Sequence, residues 1–419
     1  MFSDINKSIG LMVKTVEEAC NLACDYCYYS RCGGLVKDLS TIDVDLVDVI
    51  IKKTISEGYN IINFVWQGGE PLLAGLDFFE RVMASQKKYS KQGITFTNAL
   101  QTNGTLITKR WAIFFKKYGV IVGVSLDGTE EINDKRRVDA AGRGSYNRVM
   151  KGINYLREEG VAFNVLTVVN QENVDRADDL MTFFEEQSFG FIQFLPCMDF
   201  SSHDASQPGV YEITPKQYGD FLCDLFDHWF NEGHPNTSIR FFENMLAFYL
   251  NRQPTVCIQL DKCPLNLLIE PNGDVYPCDF YIDEEYRMGN MLEDCFTDII
   301  QHDHYKKFQQ LKPALSDACQ SCEYQGLCNG GCPRNRVLGS SKDKSQDYFC
   351  ESYKQVYKYA DQRMRVVAEN IKIVWWKDYL ARGNNLPNRN DQCICGSGKK
   401  YKKCCMDMVA SETEKIGLK

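Results

Sequence analysis

Short apolar runs alternate with longer amphipathic stretches over residues 10–207. Runs rich in β-branched or aromatic residues predict six buried strands at Leu11–Thr15, Ile61–Trp66, Thr95–Gln101, Val120–Ser125, Phe163–Val169 and Phe191–Pro196. Stretches of helical length and spacing lie between them at Ile42–Glu57, Gly75–Tyr89, Lys109–Tyr118, Ser145–Glu159 and Val174–Gln187. Repeated strand–helix units predict the α/β class with a parallel sheet, here a partial (β/α)6 barrel that binds ligands at the carboxyl ends of its strands.

The pattern changes after this region. Residues 208–256 predict connecting helices, of which Tyr218–Phe230 is the clearest amphipathic stretch. From Cys257 to Cys350 helical periodicity weakens and cysteines crowd together, which is typical of a fold organised around metal. A helix at Tyr353–Asn370 is expected next, followed by a polar linker at Arg382–Asp391 and a small Cys-rich tail.

Composition narrows the classes of function. The chain has 419 residues, 19 cysteines and a formal net charge of -8. No apolar run of ~18 residues and no leader-like N-terminus is present, so we expect a cytoplasmic protein without a membrane partner. Crowded thiols in a reducing compartment predict metal or redox ligands rather than disulfides. The acidic balance argues against specific nucleic-acid binding, although a basic patch stands near the C-terminus.

The first cysteine group, Cys20, Cys24 and Cys27, follows the first predicted strand. Three thiolates can hold three irons of a [4Fe–4S] cubane and leave the fourth iron open. Chance proximity, or a zinc site that lacks its fourth ligand, is the alternative. The spacing, with Tyr26 before the last cysteine, resembles the radical S-adenosylmethionine superfamily. That resemblance implies a cluster that binds S-adenosyl-L-methionine and generates a 5′-deoxyadenosyl radical.

Further motifs follow the next three strands, at Gln67–Pro71, Gln101–Gly104 and Ser125–Gly128. Glycines in such motifs permit close approach of the backbone to a ligand. On the residues alone, Ser125 and Asp127 are as consistent with turn or helix capping as with a site. The resemblance implies that the cofactor contacts a set of five residues, the last of them near the adenine: Tyr26, Gly69, Ser125, Arg137 and Met198.

Eight further cysteines suffice for two fully ligated [4Fe–4S] clusters, but paired cysteines also make structural zinc sites. The residues alone leave both readings open. Their arrangement resembles the SPASM extension of peptide-modifying radical enzymes, which implies three clusters in the whole chain. The first auxiliary cluster would take Cys257, Cys263, Cys278 and Cys332, and the second Cys319, Cys322, Cys328 and Cys350. Four other cysteines are expected to be small buried side chains, and we assign them no role: Cys32, Cys197, Cys223 and Cys295.

Residues 10–370 most resemble the anaerobic sulfatase-maturating enzymes, through Trp66–Gly75, Leu100–Thr105, Ser125–Gly128 and Tyr276–Tyr281. This implies oxidation of a Cys or Ser side chain to Cα-formylglycine in an unfolded or nascent sulfatase, with an electron donor such as flavodoxin or ferredoxin. The implied general base is Asp279, directly after Cys278, and Tyr29 would lie near the substrate. Without the resemblance, an Asp in a turn predicts only hydrogen bonding to the backbone.

Two alternatives stand beside this prediction. A maturase that forms thioether or related crosslinks in a ribosomal peptide would use the same clusters, but usually with an N-terminal recognition domain. Only about ten residues precede the first predicted strand, so no such domain is expected. A zinc-binding scaffold without catalysis would require the motifs after the strands to be accidental.

The tail carries four cysteines in a pattern that resembles the SEC-C motif: Cys393, Cys395, Cys404 and Cys405. This implies a Zn²⁺ site in a segment too short for a core of its own. The four neighbouring lysines 399, 400, 402 and 403 predict either a solvated face or a docking patch for nascent polypeptide, the ribosome or the translocation machinery. The expected domains are the radical barrel at 10–207, connecting helices at 208–256, SPASM at 257–370 and SEC-C at 386–408.

Overall fold

The computed structural model describes residues 7–29, 40–90, 93–197, 212–338 and 346–415. The chain divides into two compact units. The first comprises Met1–Arg176, Thr182–Ile213 and Lys262–Ala314; the second comprises Ala177–Met181, Thr214–Asp261 and Leu315–Lys419. The first unit therefore holds both the predicted strand–helix region and the segment around Cys278.

One sheet forms the centre of the first unit. Nine of its strands lie in the first unit: β1 (Ser8–Lys14), β2 (Ile61–Gln67), β3 (Thr95–Thr102), β4 (Ile121–Ser125), β5 (Phe163–Val169), β6 (Phe191–Pro196), β8 (Asn266–Ile269), β9 (Asp274–Tyr276) and β10 (Gly289–Asn290). The short strand β7 (Ser238–Ile239) belongs to the second unit. The nine strands run in the order β10-β9-β8-β1-β2-β3-β4-β5-β6. Neighbours from β1 to β6 are parallel, as is β8 beside β1, whereas β9 and β10 are antiparallel additions. The predicted α/β class with a parallel sheet is confirmed.

The register of the strands decides where their following loops meet. Lys14, the last residue of β1, pairs with Gln67, the last residue of β2. Side chains alternate between the two faces of a strand, and in β2 the buried ones are Ile62, Phe64 and Trp66. The loops after β1 to β6 therefore leave the sheet at its carboxyl edge, where parallel α/β sheets bind ligands.

The helices are α1 (Val44–Ser56), α2 (Leu76–Ser90), α3 (Lys109–Tyr118), α4 (Glu130–Arg136), α5 (Tyr146–Glu158), α6 (Ala177–Glu186), α7 (Pro215–Phe230), α8 (Arg240–Tyr249), α9 (Phe296–Gln301), α10 (Asp303–Leu311), α11 (Asp317–Gln320), α12 (Gln325–Cys328), α13 (Pro333–Leu338), α14 (Cys350–Ala381) and α15 (Met406–Lys415). Five of them match the helices predicted between the strands, and α4 is an additional short one. Aromatic rings pack α2 and α3 against β2. Phe79 of α2 contacts Trp66 of β2 and Trp111 of α3 edge-on, each at 5.6 Å between ring centroids.

Helix α14 organises the second unit and differs from the prediction. It continues to Ala381, eleven residues past the expected end at Asn370. No Gly or Pro interrupts residues 371–381, and the first glycine after them is Gly383. Helix α7 packs along α14, and the contact includes a hydrogen bond from Gln355 Nε2 to Asp220 Oδ1 at 2.8 Å.

Candidate active site

The loop after β1 carries the first cysteine group at the carboxyl edge of the sheet; we call residues 20–27 the cluster loop. All three thiols are partly buried. Burial raises the pKa of Cys20 to about 11 and that of Cys24 to about 12, and the neighbouring thiolates add to both shifts. Three thiols in one loop fit a [4Fe–4S] cluster that leaves one iron without a protein ligand.

Two hydrogen bonds reach the sulfur of Cys20. The backbone N–H of Leu22 donates to Cys20 Sγ at 3.4 Å, and Asn103 Nδ2 donates to it at 3.6 Å. Asn103 also donates to Asn21 Oδ1 at 2.8 Å. Donors to a ligand sulfur orient it and tune the metal that it holds. The turn after β3 therefore supports the cluster loop directly.

Gly69, after β2, lies against the backbone that precedes Cys20. Its φ is +49°, and a Cβ at this position would lie 2.1 Å from the carbonyl oxygen of Ala19. The next residue, Glu70, donates its backbone N–H to the same oxygen at 2.7 Å. Only glycine fits this position, because both the space and the left-handed backbone exclude a side chain.

Glu70 is a buried residue that the sequence presented only as part of a motif. Its carboxylate accepts hydrogen bonds from the Leu72 N–H at 3.0 Å, the Thr102 hydroxyl at 2.7 Å and the Asn103 N–H at 2.7 Å. Burial raises the pKa of Glu70 to about 7, although these donors favour the charged form. Glu70 therefore fixes the turn that presents Asn103 to the cluster loop.

Tyr26, Asp127 and Arg137 form a buried network beside the cluster loop. The Tyr26 hydroxyl donates to Asp127 Oδ2, and Arg137 Nε lies 3.1 Å from the same oxygen. The guanidinium also stands 5.5 Å from the centre of the Tyr26 ring. Burial lowers the pKa of Arg137, but the charge of Asp127 outweighs that effect and keeps the guanidinium protonated. Sequence reasoning left the role of Asp127 open, and the structure makes it the junction of the network.

Other residues of the edge lie close to this network. Ser125 ends β4, and its hydroxyl accepts a hydrogen bond from Gln101 Nε2 at 3.0 Å. Of the four cysteines expected to be buried without a role, Cys197 follows β6 and packs against Tyr26, and Cys223 is also buried. The prediction is wrong for Cys295, which is exposed, and Cys32 lies outside the described residues. Met198, predicted near the adenine, lies outside the described residues.

Asp279 lies in the turn after β9 and contacts the segment that follows the cluster loop. Its Oδ2 accepts a hydrogen bond from the Tyr28 hydroxyl at 2.9 Å, across 251 residues of sequence. Its Oδ1 lies 3.3 Å from the sulfur of Cys278. Because Tyr28 directly follows Cys27, these contacts place the predicted base next to the predicted radical-cluster ligands.

Aromatic rings enclose this junction. The Tyr28 ring lies 4.1 Å from that of Tyr29 and 5.1 Å from that of Phe280, between centroids. Burial raises the pKa of both tyrosines well above the ordinary value, so both hydroxyls stay protonated near neutral pH. The Tyr29 hydroxyl accepts a hydrogen bond from Gln67 Nε2 at 2.9 Å. Of the two tyrosines, Tyr28 is the one that hydrogen-bonds Asp279.

Within the second unit, four of the remaining cysteines line one cavity: Cys319, Cys322, Cys328 and Cys350. They come from α11, its following turn, the end of α12 and the start of α14. Burial raises the pKa of Cys350 to about 11. These are the four cysteines predicted for the second auxiliary cluster. The first predicted set stays a prediction, because Cys257 and Cys332 belong to the second unit and Cys263 and Cys278 to the first.

The sulfur atoms of the tail are much closer together. All four lie within 4.8 Å of one another, and no other group of three or more potential ligands in the described ranges does so. Cys404 Sγ is 3.4 Å from Cys395 Sγ and 3.7 Å from Cys405 Sγ. Four sulfurs at a Zn–S distance of about 2.3 Å in a tetrahedron lie ~3.8 Å apart. The tail residues therefore fit one zinc ion.

The tail packs on helix α14. Trp376 is 3% exposed and lies in one apolar cluster with Tyr401, Cys405 and Val409. Its ring centroid is 5.4 Å from that of Tyr401. The expected polar linker at 382–391 is present as a loop, but the helix before it reaches the tail and supplies the side chain on which the tail is built.

Comparisons with known proteins agree with these features. The radical SAM superfamily model matches residues 16–184, the SPASM iron–sulfur cluster-binding domain 263–323 and the SEC-C motif 389–407. A cysteine-type anaerobic sulfatase-maturating enzyme of Clostridium novyi is 36% identical over 369 residues, which cover 87% of this chain and 98% of the relative. The chain belongs to the anaerobic sulfatase-maturating enzymes.

Both subtypes of the family are similar to this chain. A serine-type anaerobic sulfatase-maturating enzyme of Bacteroides thetaiotaomicron is 34% identical over 390 residues, with 88% of this chain and 94% of the relative covered. The solved structure of native anSMEcpe with bound AdoMet and Cp18Cys peptide has a TM-score of 0.80 at 32% identity, with 87% and 99% of the chains covered.

Membership of the family makes this chain a radical SAM enzyme that binds S-adenosylmethionine and iron–sulfur clusters, as the resemblance implied. No helix in the described part of the chain is long and apolar enough to span a membrane. Tyr28 is the residue of this site that the sequence did not single out. Glu70 and Asp127 stand in motifs that the sequence showed, but their hydrogen-bond partners are set by folding.

Proposed function

We propose that this enzyme oxidises the β-carbon of a Cys or Ser residue in an unfolded or nascent sulfatase and produces Cα-formylglycine. One observation carries the proposal: Asp279 is held between the Cys278 sulfur and the hydroxyl of Tyr28, which is the residue after the cluster loop. This position beside both predicted cluster segments of the first unit supports Asp279 as a proton acceptor. Such an arrangement suits a reaction that removes a hydrogen atom, a proton and an electron from one substrate position.

The cluster loop would hold one [4Fe–4S] cluster through its three cysteines, and S-adenosyl-L-methionine would lie at the carboxyl edge of the sheet. Its proposed contacts are Tyr26, Gly69, Ser125, Arg137 and Met198. When bound, these groups supply the 5′-deoxyadenosyl radical that takes a hydrogen atom from the substrate. The residues of the edge bind and orient: Asp127 fixes Tyr26 and Arg137, and Glu70 fixes the Asn103 turn.

Asp279 is the proposed general base. After loss of the hydrogen atom, the substrate must lose the proton on its sulfur or oxygen and one electron, which together complete a two-electron oxidation. The electron would pass to an auxiliary cluster. A serine then gives the aldehyde, and a cysteine gives a thioaldehyde that water converts to the aldehyde with release of hydrogen sulfide. Oδ2 of Asp279 accepts the Tyr28 hydrogen bond, so Oδ1 is the oxygen we assign to the proton, because a positioned base must reach the proton within hydrogen-bonding distance.

The eight cysteines of the SPASM region would hold two further [4Fe–4S] clusters in the interleaved sets given above, so that the enzyme carries three. Full cysteine ligation suits clusters that transfer electrons and do not bind substrate. The cavity lined by Cys319, Cys322, Cys328 and Cys350 supports the second set. A flavodoxin or ferredoxin in the cytoplasm would supply the electron that starts the reaction.

The tail would bind Zn²⁺ through its four cysteines. Three of its four lysines are exposed, and we assign this face to docking on the ribosome or the translocation machinery. An enzyme that modifies a chain before it folds gains from being held where chains emerge.

The proposed function is tested with reconstituted enzyme, a reductant, S-adenosyl-L-methionine and two synthetic peptides with a C-x-P-x-R or an S-x-P-x-R core. Mass spectrometry should find formylglycine in at least one peptide, and the ratio of the two yields assigns the subtype. A crosslinked product, or cleavage of the cofactor with both peptides unchanged, would contradict the proposal.

A further inference from the structure

The two carboxylate oxygens of Asp279 have different surroundings. Oδ2 accepts the hydrogen bond from the Tyr28 hydroxyl at 2.9 Å. Oδ1 faces the Cys278 sulfur at 3.3 Å, and only a protonated thiol can donate there. As an iron-bound thiolate Cys278 would have no proton to give. The Tyr28 bond is thus the contact of Asp279 that survives cluster loading.

Tyr28 is itself fixed in place. Its ring contacts those of Tyr29 and Phe280, at 4.1 Å and 5.1 Å between centroids. Phe280 directly follows Asp279, so the same turn supplies both the acceptor of the hydrogen bond and one wall of the ring site. A phenol held on two sides has few orientations, and a hydrogen bond weakens steeply when its angle departs from linear. The hydroxyl therefore restricts the rotation of the Asp279 carboxylate.

We propose that Tyr28 is a positioning residue for proton removal: its hydroxyl holds Oδ2 of Asp279 and thereby presents Oδ1 to the substrate. This inference rests on the proposed function, in which Asp279 is the base. The hydroxyl of the neighbouring Tyr29 accepts a hydrogen bond from Gln67 at the end of β2 and is hydrogen-bonded to the Tyr28 hydroxyl, so Tyr29 supports Tyr28.

The test is Tyr28→Phe, which keeps the ring packing and removes the donor. A matched control is Tyr89→Phe, because the Tyr89 hydroxyl donates to Asp48 Oδ1 at 3.1 Å between α1 and α2, remote from the carboxyl edge. Product is measured as formylglycine formed per S-adenosylmethionine cleaved, a ratio that partial unfolding does not change. The iron content of each variant is measured beside it, because loss of an auxiliary cluster would also lower the ratio. Loss of a hydrogen bond to a charged group should lower this ratio roughly 10-fold to 100-fold in Tyr28→Phe. The ratio of Tyr89→Phe should equal that of the unaltered enzyme.

Two further readouts separate positioning from structural support. The KM for the peptide should stay unchanged in Tyr28→Phe, and deuterium placed on the substrate β-carbon should return to the substrate more often, because the carbon radical waits longer for its proton to leave. In the double variant with Asp279→Asn, the loss should equal that of Asp279→Asn alone, since a positioning residue has no effect once the group it positions is disabled.

The outcomes are distinguishable. An unchanged product ratio in Tyr28→Phe, or losses that add in the double variant, would overturn the role of Tyr28 while formylglycine production by the unaltered enzyme still supported the proposed function. Absence of formylglycine from the unaltered enzyme would instead overturn the proposed function and this inference with it.

Discussion

Replacement of Asp279 by Asn is the most informative perturbation of the proposed mechanism. Asn keeps the size of the side chain but offers one oxygen and one amide nitrogen in place of two oxygens. The Tyr28 hydroxyl donates a hydrogen bond at 2.9 Å to Oδ2 of Asp279. In the variant, this donor will favour the amide oxygen of Asn at the position of Oδ2. The amide nitrogen then takes the position of Oδ1. This nitrogen has no lone pair that can accept a proton, so the variant lacks a base where the reaction needs one.

The expected loss follows from the step that is removed. A positioned general base contributes roughly 10²-fold to 10⁴-fold, so formylglycine yield should fall by that factor. Hydrogen-atom removal precedes proton removal and uses other residues, so cleavage of S-adenosylmethionine should persist. The assay counts formylglycine and 5′-deoxyadenosine in the same sample by mass spectrometry. A β-deuterated peptide should still transfer its label to 5′-deoxyadenosine.

Asp283→Asn is the matched control, because Asp283 lies four residues further on, is exposed and makes no side-chain cap. It should behave as the unaltered enzyme. Near-normal product from Asp279→Asn would refute the reasoning and make Asp279 a turn residue. Loss of iron from that variant would assign it instead to the support of Cys278.

Three other predictions follow from separate features. Changing all three cysteines of the cluster loop to Ala should abolish cofactor cleavage and lower iron content by about a third, as expected for one of three four-iron clusters; continued cleavage would refute the assignment. Gly69→Ala should lose cofactor cleavage, since its Cβ would lie 2.1 Å from the carbonyl oxygen of Ala19, directly before the cluster loop. Gly119→Ala, at φ +64° with open space, should instead cost only about 1–2 kcal/mol in unfolding experiments. Deletion of residues 386–419 should leave activity on short peptides nearly intact and weaken maturation of a full-length sulfatase in cells; an equal loss on both substrates would show that the tail supports the catalytic fold.

The elements that sequence reasoning located well are those whose signal is local. The six parallel strands were predictable because each is a short apolar run bounded by polar turns, and β5 and β6 have the predicted bounds. The cysteine groups were predictable because spacing along the chain is itself the signal. The end of α14 was not, because the apolar residues near Trp376 acquire their partners only when the tail folds against them.

The contacts that define the candidate site join residues that are far apart in sequence, so they have no local signal. Tyr28 and Asp279 are 251 residues apart, and Tyr26 and Asp127 are 101 apart. An aspartate in a turn looks the same in sequence whether it caps the backbone or meets a remote tyrosine. The fold decides between these outcomes: parallel strands bring Tyr26 and Asp127 to one edge, and the turn after the antiparallel strand β9 brings Asp279 to Tyr28.

Helix α14 connects two groups of clustered cysteines, and its rigidity fixes their separation as a flexible connection would not. It begins at Cys350 and carries Trp376 twenty-six residues later, a rise of about 39 Å. One inserted residue would turn Trp376 through ~100° about the helix axis as well as move it 1.5 Å. Insertions within this helix should therefore detach the tail unless they come in multiples close to whole turns, while the loop at 382–391 can change length freely. The rotational phase of the helix, and not only its length, therefore decides whether the tail can pack on Trp376.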